Sequence, residues 1–125
     1  MDSYAFAGLH HVQLSMPAGS ESAARAFYVG VLGMSELTKP PVLAARGGCW
    51  FRGGAWELHV GVDADFRPAA RSHPGVLVTS LDALAASVVE SGTGVLWDDN
   101  FPGYRRFYVN DCFGNRFEFL EPLPR

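Results

Sequence analysis

One order of hydrophobic patterns occurs twice in this 125-residue chain: an alternating run, a run with helical spacing, then several short alternating runs. Strands alternate because successive side chains face opposite ways, whereas a helix returns to the same face every third or fourth residue. Leu9 to Met16 opens the first copy, with His10, Val12, Leu14 and Met16 on one side and His11, Gln13 and Ser15 on the other. The apolar companions of His10 place it on the packed side. Ala23, Ala24, Phe27, Tyr28, Val31 and Leu32 then recur at helical spacing, between a cap at Ser20 and a stop at Gly33. Short strands are expected at 34–38, 42–46, 49–52 and 56–62, broken by Pro40-Pro41, Gly47-Gly48 and Gly53-Gly54. His73 to Thr79 opens the second copy. Ser80 is placed to cap a helix carrying Leu81, Leu84, Ala85, Val88 and Val89, which stops at Gly92. Strands follow at 95–97, at 104–110 and in the closing run to Pro122.

The doubling predicts an α+β fold of two tandem βαβββ modules, about residues 8–62 and 73–122, within a single domain. A helix between strands covers one face of each sheet and leaves the other free to carry polar groups. Ten basic and 13 acidic residues give a net charge of −3, with no Lys/Arg cluster, which argues against a nucleic-acid partner. No apolar run is long enough to span a membrane. The opening residues lack the basic and apolar segments of a signal peptide, so a cytoplasmic location is expected. Cys49 and Cys112 stand in no metal-binding spacing and are expected to be free thiols.

The free faces carry the chemistry. In the closing run, Asp111-Cys112-Phe113-Gly114-Asn115 reads as a turn in which Gly114 and Asn115 can both take positive φ. Glu118 lies between Phe117 and Phe119, so it cannot face the core that they form. Glu121 falls on the Phe119 side and reads as a rim residue. The same parity gathers His11 and Gln13 from the first strand, Glu57 and His59 from the run at 56–62, and His73 from the start of the second copy. Arg106 and Tyr108 join Glu118 from the last two strands. Two or three imidazoles with one or two carboxylates suit one divalent ion: Zn, Ni, Mn, Co or Fe. Gln13, His59, Arg106 and Tyr108 are then candidates for contacting a small-molecule substrate. Alternatively, Trp50, Trp56, Trp97, Phe101 and Tyr104 could wall a cavity that binds an apolar or cationic compound without chemistry.

The segments "LHHVQLSMP", "ARAFYVGVLGM", "SHPGVLV" and "RRFYVNDCFGNRFEFLEP", in the doubled βαβββ order, resemble the vicinal oxygen chelate superfamily. Glyoxalase I, extradiol dioxygenases, fosfomycin-resistance proteins and bleomycin-resistance proteins belong to it. The resemblance implies a partly open cup or barrel, usually completed in a homodimer. It places metal ligands at His11, His73 and Glu118. Glu57 falls where glyoxalase I has a further carboxylate ligand; in the fosfomycin and dioxygenase branches it would be a pocket acid or base. The implied function is a divalent-metal-dependent enzyme of lyase, isomerase, transferase or dioxygenase type, acting on a small oxygen-chelating substrate, with Glu57 and Glu118 as catalytic carboxylates. The alternative is a metal-free, drug-binding protein of the bleomycin-resistance type. Cys112 stands where relatives commonly have proline.

Overall fold

A computed structural model describes residues 2–125, and in it eight strands divide into two four-stranded sheets of the same design. The first holds β1 (His11–Met16), β2 (Ser35–Leu37), β3 (Cys49–Gly53) and β4 (Trp56–Val62) in the order β1-β4-β3-β2. The second holds β5 (Gly75–Leu77), β6 (Leu96–Asp98), β7 (Tyr104–Asn110) and β8 (Arg116–Pro122) in the order β5-β8-β7-β6. In each, the first strand runs parallel to the last and the remaining pairs are antiparallel. A strand that must lie parallel to a later one needs a crossover, and the helical runs supply it.

The first crossover is α1 (Glu21–Arg25), which continues as a wider helical segment, Ala26–Val31, with Leu32 N–H bonded five residues back to Phe27 O. Gly33, at φ 74°, ends it as expected. Ser20 makes no side-chain capping bond. Val42 to Arg46 is not a strand. Pro41 begins a single helical turn, α2 (Pro41–Ala44), with Leu43 and Ala44 N–H groups bonded to Pro40 O. A proline in the first helical position loses no hydrogen bond and has its φ already set, so here the second proline starts a turn.

The second crossover is α3 (Leu81–Glu90), and its cap differs from the sequence expectation. Ser80 stands at the N-cap in a left-handed conformation and its hydroxyl makes no capping bond. Glu121 does this work from β8: its carboxylate accepts from Ser80 N–H at 2.8 Å and Leu81 N–H at 3.2 Å. Two orphan donors and the positive end of the helix therefore meet a carboxylate that sequence placed on the rim. Glu121→Ala should cost about 0.5–2 kcal/mol of stability, as losing an N-cap does. A urea titration would show it as a lower midpoint at unchanged slope.

Both sheets turn their helix-covered faces to one core. Phe51, Leu58 and Val60 meet Phe107, Val109, Phe117 and Phe119 in a single cluster with Tyr28, Leu81 and Val88. The Tyr28 ring lies 5.2 Å from Phe51 and 5.9 Å from Phe117, so it joins the modules. Its hydroxyl donates to Asp111 Oδ2 at 2.5 Å. Burial raises the Tyr28 phenol above its ordinary pKa, and the neighbouring Asp111 raises it further. Asp111 Oδ1 accepts from Phe113 N–H at 2.9 Å and Asn115 N–H at 2.8 Å. The Asn115 amide then donates to Asp111 Oδ2 at 3.0 Å and to Ser15 O, on β1, at 2.8 Å. Of the two turn residues, only Gly114 takes positive φ, at 90°. Asn115 serves by its side chain instead.

Candidate functional site

The faces turned away from the core carry the candidate groups, and the register decides which of them meet. In the first sheet His11 stands opposite Glu57, and His59 stands opposite both Gln13 and Trp50. The His59 ring is stacked between Trp50 (4.0 Å, 6°) and His11 (4.0 Å, 12°). Glu57 lies 3.0 Å from His59 Nε2 by one oxygen and accepts from Arg52 at 2.8 Å by the other. These two contacts, His59 first, hold the Glu57 carboxyl at about 2, so it is ionised throughout the neutral range. His10 is not on the packed side. It precedes β1, is exposed, and has its Nδ1 2.9 Å from Nδ1 of His11. Alternation binds a residue to a face only where the ladder runs, and this ladder begins at His11.

In the second sheet Glu118 is buried on β8, opposite Gly75 and Tyr108. One of its oxygens lies 3.0 Å from His73 Nε2 and the other accepts from Arg106 at 3.0 Å. Burial pushes this carboxyl up, but the bonds from Arg106 and His73 outweigh it and hold the group below its ordinary value. Nδ1 of His73 lies 2.8 Å from the backbone oxygen of Arg71. A carbonyl can only accept, which assigns the proton to Nδ1. With a second proton on Nε2 the ring donates to the Glu118 carboxylate; without it the Nε2 lone pair faces that oxygen, another acceptor. Two acceptors this close need a proton or a cation between them. This tautomer, with Nδ1–H on a backbone carbonyl, is also the one that metal-ligating histidines adopt. Two donors each about 2.1 Å from a divalent ion, at roughly a right angle, stand about 3 Å apart.

The four candidate ligands thus form two pairs: His11 with Glu57 on the first sheet, and Glu118 of the second sheet with His73, which lies in the loop before β5 because the strand expected from His73 to Thr79 is only Gly75–Leu77. Among the described residues no group of three or more His, Cys, Asp or Glu side chains is arranged to hold a metal ion within one chain.

The candidate substrate contacts also sort themselves. Gln13 is exposed beside the stacked rings. Arg106 is fully engaged, bonded to Glu118 and twice to Asp98 Oδ1 at 2.9 and 3.2 Å. Tyr108 is covered by Arg116, whose guanidinium carbon is 3.9 Å from the ring centroid. The unengaged cation on this face is Arg116, which the sequence reading passed over. Its signal was available: it shares the parity of Glu118. Of the aromatic residues considered for a binding wall, Trp50 is stacked on His59, Trp97 lies beneath Arg105 and Phe101 beneath Arg106. Trp56 packs against the core. Among the described residues no helix is long and apolar enough to cross a membrane.

No protein-family model matches the sequence, and no curated protein matches it either. Solved structures do. A glyoxalase family protein from Bacillus anthracis is 45% identical, with a TM-score of 0.94 over 98% of this chain and 100% of that one. A lactoylglutathione lyase from Agrobacterium tumefaciens is 19% identical, with a TM-score of 0.72 over 92% of this chain and 93% of its own. An antibiotic-binding protein from a Streptomyces species is 21% identical, with a TM-score of 0.76 over 97% and 100%. The last two likenesses concern the fold; the first extends through the whole sequence. Its identity over nearly all of the chain, with the doubled βαβββ architecture, shows that the chain belongs to the glyoxalase family of the vicinal oxygen chelate superfamily.

Proposed function

We propose that this chain is a divalent-metal-dependent enzyme that works as a homodimer. His11 and Glu57 of one protomer and His73 and Glu118 of its partner would hold one ion. The observation that supports the reading is the His73–Glu118 pair: Nδ1 is taken up by the Arg71 carbonyl, and Nε2 lies 3.0 Å from a carboxylate oxygen, a spacing that a divalent ion could bridge in place of a proton. The donors, two imidazoles and two carboxylates, suit Zn, Ni, Mn, Co or Fe. The arrangement of the pairs supports a dimer. A two-fold axis that sets the first sheet of one copy against the second sheet of the other turns four incomplete pairs into two complete sites. Leu77, exposed on the same face as Glu118, would gain cover from such a partner.

When bound, the ion would act as a Lewis acid on neighbouring oxygens of a small substrate. The chain's own groups would do the rest. Arg52 keeps Glu57 in place and Arg106 keeps Glu118 in place, so either carboxylate can exchange a proton with the substrate without leaving the site. Two such carboxylates suit a lyase or isomerase reaction that moves a proton at a carbon beside those oxygens. The drug-binding alternative has less support, because most of the aromatic rings it would use already lie against side chains of the same molecule.

The test is a titration of chelator-treated protein with Zn, Ni or Mn, followed by calorimetry and by thermal unfolding. One ion per chain and a melting temperature that rises with metal are expected, since a ligand of the folded state stabilises it. Absence of uptake for all of the metals would defeat the proposal.

A further inference from the structure

We propose that a cleft at the junction of the two modules, with Arg67 and Arg116 as its cations, binds an anionic group of the substrate, of carboxylate or phosphate type, beside His73. The idea deepens the function proposed above and rests on that reading for its catalytic meaning. Anion binding itself needs no metal.

The cleft has a volume of about 490 Å³ and is lined by Gln13, Ser15, Arg67, Ser72, His73 and Arg116, among others. No carboxylate contributes to its wall, although acidic residues outnumber basic ones in the chain. Of the eight cations outside the cleft, Arg25, Arg52, Arg105 and Arg106 each lie against a carboxylate. Among the described residues neither Arg67 nor Arg116 forms an ion pair. The side chains of Gln13, Ser15 and Ser72 make no hydrogen bond there either. The cleft therefore gathers unspent donors and two positive charges in one place.

Arg116 is the anchor. It is half-buried, and its guanidinium lies flat on the Tyr108 ring at 3.9 Å. A cation stacked by its face keeps its N–H edge free, and that edge matches the paired oxygens of a carboxylate or phosphate. The ring offsets part of the cost of partial burial but supplies no counter-charge. An anion in the cleft would supply it. Asn115, which also lines the cleft, is held by Asp111 and Ser15, so the neighbouring Arg116 projects from a fixed turn. His73 lines the same cleft while its Nε2 faces Glu118. An acidic group held there would leave the rest of a small molecule beside the candidate ligand pair.

The experiment uses full-length, chelator-treated protein at low ionic strength, titrated calorimetrically with inorganic phosphate and separately with malonate. Matched chloride serves as the control. Saturable binding of at least one of the two is expected, and the tighter one identifies the class of acidic group. Arg116→Gln and Arg67→Gln should each weaken it about tenfold or more, since each removes a charge from the anion's partners. Arg116→Lys, which keeps the charge but not the fork, should fall between. Arg105→Gln, outside the cleft, should leave binding unchanged. Melting temperatures of all variants confirm folding. The inference is overturned if neither anion saturates, or if both arginine variants bind as the parent does. Metal uptake is measured in parallel. Anion binding without metal uptake contradicts the metal reading alone, and metal uptake without anion binding contradicts this inference alone.

Discussion

Glu118→Gln should lower the affinity for divalent metal by about a hundredfold or more, while leaving the protein folded. Altering a group that merely orients a metal ligand typically costs ten- to a hundredfold, and a charged ligand should cost at least as much. The amide keeps an oxygen but loses the negative charge that faces His73 Nε2 across 3.0 Å. Stability should suffer less than the burial of Glu118 suggests. Arg106, its other partner, keeps both bonds to Asp98, so the change leaves no isolated charge behind. His73 still has its Nδ1 contact with the Arg71 carbonyl. Calorimetric metal titration of parent and variant, with thermal unfolding of both metal-free forms, checks the two halves of this expectation. Equal metal affinity would remove Glu118 from the site.

Asp111→Ala should cost on the order of 3–5 kcal/mol, as much as truncating a buried phenylalanine of the core. Asp111 is buried and accepts from the Tyr28 hydroxyl, two backbone N–H groups and the Asn115 amide. Removing it leaves the Tyr28 hydroxyl, which is fully buried, without a partner. It also frees Asn115, whose amide holds the turn to Ser15 of β1. The modules would lose a polar clasp and keep only apolar contact at that end. Such a loss is a large share of the stability of an ordinary domain. Tyr28→Phe should cost less, because it removes the donor as well as the bond. In the Tyr28→Phe/Asp111→Ala protein the two losses should sum to less than their separate values, since one orphaned donor is gone. Urea unfolding of the four proteins measures this directly. A loss below about 1 kcal/mol for Asp111→Ala would show that the clasp is not needed.

The α+β architecture was legible because side-chain alternation is a property of the strand backbone. Val12, Leu14 and Met16 against His11 and Gln13, and Phe117 and Phe119 against Glu118, sort into core and polar faces as parity requires. Parity says nothing about where a face points. That both sheets share a single core, and that His11 with Glu57 and His73 with Glu118 are separate pairs, depends on how the modules pack. No local pattern encodes that packing. Other misses have the same cause. The cap of α3 comes from Glu121, some forty residues along the chain, where a local reading could offer only Ser80. Arg106 looked like a free cation until β6 paired with β7 and brought Asp98 opposite it. Arg116, equally visible by parity, stayed free because no acid was brought to it. His10 failed for a different reason: alternation was carried one residue beyond the ladder.

The measurement closest to the central claim is metal uptake by mixed dimers. One variant carries His11→Ala and Glu57→Ala, and the other carries His73→Ala and Glu118→Ala. Each alone has only half of every site and should bind little metal. Unfolded together and refolded at equal concentrations, they should form mixed dimers in which, on this account, one site would have all four ligands and the other none. Random pairing then restores about one quarter of the parent's uptake, as two-fold symmetry requires. No recovery in a mixture whose mixed dimers are demonstrated by mass would contradict the account, as would either variant binding metal like the parent on its own.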